Sequence, residues 1–377
     1  MLELRPADPV LFLHSADATN TNPQSLNSKA ILARWPTEGP RAAVIGFRES
    51  ALEVASNPAV DIWRVRPDRF WRLGVAARMQ KRVSCIVLPG LHLWADWAGV
   101  ELRRLTGRRV PIIRTVEALL TDDDDLDERA EAYSQAARHP VFCQHMSRQA
   151  LRRRDHVDRD AEHFIAISPF LKKMIEVRHP GKASVVPLGV DLTMFHSVGR
   201  SSGGRPSVVS VASVRARKRP DIFLKLAERF PFADFAWYGE GNLRATLIQQ
   251  AAVKGMRNLK FPGPLQPSQL AGVYRAADVF VLPSMDEGVP KVTQEAAACG
   301  LPQIVFGFYE APTVIHGQNG LVVWNDDELA TSLGTLLSDE FLRRRMGDTG
   351  AAMALNWSWD IAAPLWREQI LKVIGQT

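Results

Sequence analysis

Short apolar runs recur along the chain, each bounded by turn residues, and stretches with helical spacing separate many of them. Runs of this length and composition are typical of buried strands. In the first half they predict strands at 10–14, 42–47, 85–89, 110–114, 163–168 and 183–189. In the second half they predict strands at 207–212, 235–238, 259–261, 279–282, 303–305 and 320–323. Strands that alternate with helices indicate a parallel, doubly wound sheet, so the predicted fold class is α/β.

The alternation begins anew after residues 197–206, SVGRSSGGRP, whose low complexity predicts a linker. At about 100–200 residues per domain, a chain of 377 residues has room for two cores. We therefore expect two Rossmann-like domains, at 1–198 and 206–358, with a ligand in the cleft between them. A last helix is predicted over about residues 360–374.

Composition narrows the class of protein. Hydrophobic residues make up 46% of the chain and charged residues 23%, which excludes disordered, collagen-like and disulfide-scaffold proteins. The three cysteines, Cys85, Cys143 and Cys299, form no CxxC pair, which favours a reducing compartment and no zinc site. No stretch approaches the roughly 18 apolar residues of a membrane span. We expect a soluble, cytoplasmic protein.

The formal net charge of +6 lies mainly in the first half, where residues 1–200 carry 29 Lys and Arg against 24 Asp and Glu. The basic clusters stand at 64–82, 103–104, 108–109 and 152–154. One interpretation is an anionic partner, such as the inner face of a membrane that the protein contacts peripherally. The other is that these residues form the solvated faces of ordinary helices.

The acidic run at 122–125 raises the question of a metal, since Asp-x-Asp pairs can hold a divalent cation beside a diphosphate. The four carboxylates are contiguous, however, and no spaced ligand follows them. A solvated loop explains the run better, so no metal is assigned.

The segment 278–302, DVFVLPSMDEGVPKVTQEAAACGLP, carries the most chemical information. An apolar strand leads into a tight loop and then a helix, with Pro290 in the first helical turn and Gly300 at the end. Glu287 then lies in the loop and Glu295 on the second turn, both toward the carboxyl edge of the sheet. Carboxylates accept hydrogen bonds from vicinal hydroxyls, and a helix N-terminus favours phosphate. A nucleotide sugar offers both groups, although two unrelated glutamates would also account for the pair.

Residues 207–360 resemble, nearly throughout, the donor-binding domain of retaining glycosyltransferases of family 4, which have the GT-B fold. The matching stretches are VSVASVRARKRPD (209–221), WYGEGNLR (237–244), LKFPGPLQPSQLAGVYRAADVFVLPS (259–284), EGVPKVTQEAAACGLP (287–302), NGLVV (319–323) and WSWD (357–360). The spacing of Glu287 and Glu295 matches the family's Glu-seven-residues-Glu signature. In the first half, FIAISPFLKKM (164–174) and VVPLGVDLTMF (185–195) are similar to the end of the family's acceptor domain, and residues 1–160 match in pattern only.

The resemblance implies a role for each matching residue. Glu287 would hydrogen-bond hydroxyls of the transferred sugar, Glu295 would accept both ribose hydroxyls, and Lys218 would neutralise the departing diphosphate. The backbone near the diphosphate would be that of Gly288, Val289 and Pro290. A loop after a strand would open at Gly239 and Gly241, and the backbone at Gly263, Pro264 and Leu265 would face the nucleobase. With these roles, loss of Glu295 should weaken binding of free nucleotide, whereas loss of Glu287 should leave it nearly intact.

Two positions depart from the family pattern. Ser213 stands on the donor side where the family usually has an arginine that shares the diphosphate with the lysine, and either Arg215 or Arg217 would have to replace it. Glu117, in TVEA at 115–118, stands where a histidine commonly faces the acceptor. Either Glu117 accepts a proton or a hydrogen bond from the acceptor hydroxyl, or it is only a polar strand end.

The resemblance implies a retaining, metal-independent hexosyltransferase that needs no cofactor and moves a sugar from a UDP- or GDP-sugar to an acceptor hydroxyl. The first domain would bind the acceptor, and residues 359–377 would cross back to it. The acceptor would be a glycan, a lipid-linked glycan or a small molecule, in cell-envelope polysaccharide or glycolipid synthesis, and no nucleic-acid partner is expected. Two alternatives are a catalytically weakened nucleotide-sugar-binding protein, suggested by Ser213, and an NDP-sugar epimerase or hydrolase on the same fold.

Overall fold

The computed structural model describes residues 8–19, 23–65, 83–88, 110–117, 157–198, 204–285 and 287–375. Most of the basic clusters, the acidic run at 122–125 and Cys143 lie outside these ranges. Contacts group the described residues into two compact units. Unit 1 takes the residues up to Gly189 together with those from Trp359 onward, and unit 2 takes Val190–Ser358.

Unit 1 is built on a parallel sheet, whose described strands run in the order β3-β2-β1-β4-β5-β6-β7. The strands are β1 Val10–Ser15, β2 Ala42–Gly46, β3 Val60–Arg64, β4 Cys85–Leu88, β5 Ile112–Val116, β6 His163–Ala166 and β7 Ala183–Val185. The helices of this part are α1 Pro23–Ala33, α2 Leu52–Ala55 and α3 Pro169–Glu176. The side chain of Ser168 caps α3 by accepting a hydrogen bond from Leu171 N, and Pro169 fits the first position because it needs no acceptor there.

The sequence analysis missed β3 and began β5 two residues too early. The β3 sequence, VDIWR, mixes apolar and polar residues because β3 lies at the end of the order of described strands, among which it pairs with β2 alone. Only Val60 of that strand is buried, so a search for apolar runs does not find it. The start of β5 is displaced to Ile112 because Pro111 has no N–H to donate to a ladder.

Unit 2 contains a second parallel sheet, with the described strands in the order β10-β9-β8-β11-β12-β13. The strands are β8 Ser207–Val211, β9 Asp234–Tyr238, β10 Leu259–Lys260, β11 Val279–Leu282, β12 Gln303–Phe306 and β13 Gly320–Val323. The helices are α4 Pro220–Arg229, α5 Arg244–Val253, α6 Pro267–Ala276, α7 Lys291–Ala298, α8 Asp326–Ser338 and α9 Glu340–Ala354. Each of these strands lies within one residue of its prediction.

Aromatic packing fixes which face of β9 is covered in unit 2. The ring of Phe223, on α4, makes edge-to-face contacts with Phe235 and Trp237, each at 5.3 Å between centroids. All three side chains are buried, and such ring pairs add about 0.5–1.5 kcal/mol beyond the buried area. Because side chains alternate along a strand, Asp234, Ala236 and Tyr238 are turned to the opposite face.

A last helix, α10, spans Trp359–Val373 and belongs to unit 1. The indole N–H of Trp366 donates to the carbonyl of Pro187 at 2.9 Å, and Arg34 pairs with Asp360 at 2.6 Å. The helix begins one residue before the predicted 360. Residues 190–198 group with unit 2, whereas the sequence analysis ended the first domain at 198.

The strand order locates the chemistry in unit 2. β8 lies between β9 and β11, so the chain leaves β8 toward one side of the sheet and leaves β11 toward the other. Where the order of parallel strands reverses in this way, the loops at the carboxyl ends diverge and leave a crevice that binds ligands. The two loops concerned are 212–219, after β8, and 283–290, after β11.

Candidate functional site

Lys218 and Glu287 meet at this reversal of strand order. Lys218 ends a short 3-10 turn, Ala216–Lys218, in the loop after β8, and its Nζ donates to Glu287 Oε1. The side chains are only 9% and 11% exposed, so the ion pair is largely shielded from water. The loops are also joined through their backbones, since Met285 N donates to Arg217 O at 3.4 Å. Two residues that the sequence analysis singled out separately thus form one charged pair.

Three other polar side chains of the first loop form no such charged pair within the described part of the chain. Ser213 is half-buried, Arg215 is exposed and Arg217 is half-buried. Neither the Arg215 nor the Arg217 guanidinium makes a hydrogen bond or ion pair with any residue that the structure describes. The choice between them as the replacement for the missing arginine therefore stays a prediction.

Gly239 and Gly241 allow two loops to lie against each other. Gly239 has a φ of 148°, and a Cβ there would collide with the carbonyl oxygen of Ala212. A Cβ on Gly241 would likewise collide with the carbonyl oxygen of Val214. The loop after β9 therefore runs directly beside the loop that carries Ser213 and Lys218. These glycines shape the site without a side chain.

Gly263 extends this backbone contact. Its carbonyl accepts a hydrogen bond from Gly239 N at 3.1 Å, and its φ of 102° favours glycine. The next residues, Pro264 and Leu265, are exposed and half-buried. The backbone over 263–265 therefore borders the glycine loop at the carboxyl edge of the sheet, where the sequence analysis expected a nucleobase.

The second loop ends in α7, which starts one residue later than predicted. Pro290 is the N-cap, with an extended backbone at φ −70° and ψ 108°, and the helix begins at Lys291. The carbonyl of Pro290 accepts a hydrogen bond from Thr293 Oγ1 at 2.6 Å, which stabilises this first turn. Gly288 and Val289, just before it, are half-buried. The predicted diphosphate-facing backbone thus leads through an extended Pro290 into a helix N-terminus.

Glu295 lies on α7 with a partner of its own. The hydroxyl of Tyr274, on α6, donates to Glu295 Oε2 at 3.3 Å, and the Tyr274 side chain is completely buried. Burial raises the pKa of the Glu295 carboxyl above its ordinary value, and the nearby Lys291 and the Tyr274 hydroxyl offset part of that rise. Glu287 and Glu295 therefore have different direct partners: Glu287 pairs with the Lys218 ammonium, and Glu295 accepts from the Tyr274 hydroxyl.

Glu117 lies in unit 1, just after β5, and is half-buried. Asn27 of α1 donates from Nδ2 to Glu117 Oε2 at 2.7 Å, and the Thr115 hydroxyl lies 3.4 Å from Glu117 Oε1. Asn27 and Thr115 are both buried. Two neutral polar side chains therefore hold the Glu117 carboxylate in position. A polar residue that only ends a strand would not need these contacts.

The sequence analysis missed three residues of these surroundings: Asn27, Tyr274 and Arg219. Tyr274 and Arg219 lie within the matching stretches quoted above, so the resemblance indicates the segments that contain them but not these two residues. Their partners, however, lie on other elements and have no spacing that a sequence pattern would reveal.

A separate cleft of about 690 Å³ lies on the sheet of unit 2, bordered by β8, β9, β10 and α6. Tyr238 and Leu265 line it, whereas Lys218, Glu287 and Glu295 do not. Among the described residues, no three His, Cys, Asp or Glu side chains are placed to hold a metal ion. None of the helices in the described ranges is both long and apolar enough to cross a membrane. The candidate site is therefore recognised by its charges and strand topology.

Comparison with known proteins bears on this site. A family described as glycosyl transferases group 1 matches residues 195–353, which include every donor-side residue named above. The chain is 31% identical over 201 residues to a D-inositol 3-phosphate glycosyltransferase of Nocardia farcinica, covering 47% of this chain and 45% of that protein. It is also 31% identical over 202 residues to a GDP-mannose-dependent monoacylated alpha-(1-6)-phosphatidylinositol monomannoside mannosyltransferase of Corynebacterium glutamicum, covering 47% and 52%. The match thus spans about half the length of these relatives.

A solved structure with a similar fold is HepE of Anabaena in complex with UDP. Its TM-score is 0.72 at 17% identity, and the alignment covers 97% of this chain and all of that one. At this identity the likeness concerns the fold alone. It confirms the predicted GT-B fold with two Rossmann-like domains.

Proposed function

Because residues 195–353 match the family described as glycosyl transferases group 1, we propose that the chain is a retaining glycosyltransferase that uses a nucleotide-diphosphate sugar and no metal. The donor is a UDP- or GDP-sugar. HepE was solved with UDP, and the Corynebacterium relative is named as GDP-mannose-dependent, which supports both nucleotides as the first to test. The observation that carries the proposal is the Lys218–Glu287 pair at the reversal of strand order in unit 2.

On the donor side, each residue has a chemical task. Lys218 supplies the fixed cation for the diphosphate, whose charge grows as the bond to the sugar breaks. Glu287 accepts hydrogen bonds from hydroxyls of the sugar and orients it. Glu295 accepts the ribose hydroxyls. The backbone from Gly288 to Pro290 brings peptide groups to the diphosphate at a helix N-terminus, where anions are favoured.

On the acceptor side, Glu117 binds an acceptor hydroxyl and accepts its proton as the new bond forms. Its contacts with Asn27 and Thr115 support this role because they hold the carboxylate in one orientation. The two relatives are named for inositol phosphate and phosphatidylinositol mannoside acceptors. We propose an acceptor of the same broad kind: a polyol, glycan or lipid-linked glycan that offers a hydroxyl.

The test uses the full chain. Calorimetric titration with UDP and GDP measures nucleotide binding, and mass spectrometry of products from a panel of UDP- and GDP-sugars measures transfer or hydrolysis. We expect binding of at least one nucleotide diphosphate with and without EDTA, and a product with the anomeric configuration of the donor by NMR. Failure to bind either nucleotide would overturn the donor assignment. Loss of binding and turnover with EDTA would overturn metal independence, and an inverted product would overturn retention.

The second candidate is a nucleotide-sugar-binding protein with weakened catalysis. Ser213 favours it, because a serine cannot supply the second cation that the diphosphate would meet at that position. Loss of one such electrostatic partner reduces turnover by about 10²–10³-fold in well-studied enzymes. Tight binding of UDP or GDP with no product from any donor would favour this candidate.

A further inference from the structure

Arg219 has an unusual backbone for its residue type. Its φ of 54° and ψ of 50° place it in the left-handed region, which residues with a Cβ rarely adopt. It also directly precedes Pro220, and a residue before proline is pushed toward extended conformations. Such a conformation persists only where the surroundings fix it, and it is concentrated at functional sites.

The side chain of Arg219 provides that fixation. Its Nη2 donates to both carboxylate oxygens of Asp326, at 2.7 and 2.8 Å. Its Nη1 lies 3.3 Å from Met285 Sδ, and the guanidinium sits 5.3 Å from the centroid of the Phe306 ring. The whole residue is only 6% exposed. The rigid fork of arginine suits this arrangement, and lysine could not reproduce it.

These contacts link the two loops of the candidate site. Arg217, Lys218 and Arg219 follow one another, and each contacts the segment 285–287: the carbonyl of Arg217 accepts from Met285 N, Lys218 pairs with Glu287, and Arg219 contacts Met285 Sδ. Asp326 begins α8 after β13, so Arg219 also anchors the loops to a third element.

We infer that Arg219 is a positioning residue, held by Asp326, that sets the Lys218 loop against the Glu287 loop and thereby determines the affinity for the nucleotide diphosphate. This inference rests on the proposed function. Arg219 acts through its neighbours, because its guanidinium is already hydrogen-bonded to Asp326 and the residue is buried. Replacement of Arg219 therefore loosens the position of the Lys218 side chain, although the lysine itself is still present in the chain.

Two variants break the link without removing Lys218 or Glu287. Arg219→Lys keeps the positive charge but loses the planar guanidinium. Asp326→Asn keeps the size of the side chain but removes the negative charge that Arg219 pairs with. We expect each to lower the affinity for UDP or GDP about tenfold, by calorimetry. The matched control is Arg343→Lys, another buried arginine of unit 2, which donates to the carbonyls of Leu336 and Leu337. It should lower the melting temperature as much or more and leave affinity unchanged.

The decisive readout is coupling to Lys218. In a Lys218→Ala background, Arg219→Lys should cause no further loss of affinity, because the residue through which it acts is gone. An effect on affinity that does not pass through Lys218 would instead add to the loss caused by Lys218→Ala. Wild-type affinity in Arg219→Lys and Asp326→Asn, or additivity with Lys218→Ala, would overturn the inference. If Arg219→Lys does not fold, the same test is made with Asp326→Asn, alone and combined with Lys218→Ala. Wild-type affinity in the single variant, or additive losses in the double variant, would again overturn the inference. Absence of UDP and GDP binding in the wild type would overturn the proposed function instead.

Discussion

Replacement of Glu287 by glutamine should strengthen the binding of free nucleotide while it lowers sugar transfer. Motif reasoning alone predicts that loss of Glu287 leaves free-nucleotide affinity nearly unchanged, because it assigns this residue to the sugar. In the structure, however, Lys218 Nζ is already hydrogen-bonded to Glu287. A diphosphate that uses Lys218 must therefore take it from the glutamate. Glu287→Gln keeps the shape of the side chain and removes the competing charge.

The size of the effect follows from the burial of the pair. The side chains are 9% and 11% exposed, so water and salt screen the interaction less than at the surface. In Glu287→Gln the lysine ammonium still donates to a neutral amide oxygen, so what is lost is the attraction between two full charges, which contributes about 0.2–1 kcal/mol in exposed pairs and more where water is excluded. With about 1–1.4 kcal/mol for this shielded pair, the diphosphate has that much less to displace, which corresponds to about five- to tenfold tighter binding.

Calorimetric titration of UDP and GDP into the wild type and Glu287→Gln measures the change, and product formation from the corresponding sugar nucleotide measures transfer. Glu228→Gln is a suitable control, because Glu228 pairs with Lys254 in an exposed ion pair of the same unit. It should change neither quantity. Free-nucleotide affinity that is unchanged or weaker in Glu287→Gln would refute the exchange of Lys218 between glutamate and diphosphate.

Three further predictions concern the same unit. Burial raises the pKa of Glu295, so folding disfavours its ionised form; on acidification, nucleotide affinity should therefore begin to fall at a higher pH than an ordinary glutamate would give, and more steeply than in Glu295→Gln. Glu295→Gln should also melt higher than the wild type at neutral pH and lose that gain as acid protonates the carboxyl. Tyr274→Phe removes a donor that favours the charged carboxylate, so the pH at which calorimetry shows affinity falling should move upward. Gly239→Ala should destabilise the protein by about 2 kcal/mol or more in denaturant unfolding, because its Cβ meets the carbonyl of Ala212 at a positive φ; an unchanged midpoint would contradict that contact.

The sequence predicted strands more reliably where an apolar run marks them. Most of the described strands of unit 2 are short apolar runs with turn residues on either side, and the positions of all six differ from prediction by one residue at most. The edge strand β3 was missed because its exposed face carries polar residues, so it lacks the apolar run. The start of α7 was misplaced by one residue because a proline suits both the N-cap and the first turn.

Residue roles and residue partners differ in how far a sequence reveals them. Glu287, Glu295 and Lys218 were all singled out from a local motif, and their roles stay predictions. The contacts that each of them makes were not predicted. Tyr274 approaches Glu295 from α6, and Asn27 approaches Glu117 from α1, across 21 and 90 residues of sequence. Tertiary packing alone determines these contacts, and they set the orientation and the pKa of the carboxylates.

The strand order explains why Lys218 and Glu287 become partners although 69 residues separate them. β8 and β11 are neighbours in the sheet, so the loops that follow them begin side by side at its carboxyl edge. A cation on one loop and a carboxylate on the other then meet across a short gap and neutralise each other. On the proposed function, we expect donor binding to be an exchange of partners, in which the diphosphate takes the lysine and the sugar hydroxyls take the glutamate. The free nucleotide would offer only the first half of that exchange, and for this reason we expect a glutamate assigned to the sugar to control affinity for a ligand that carries no sugar.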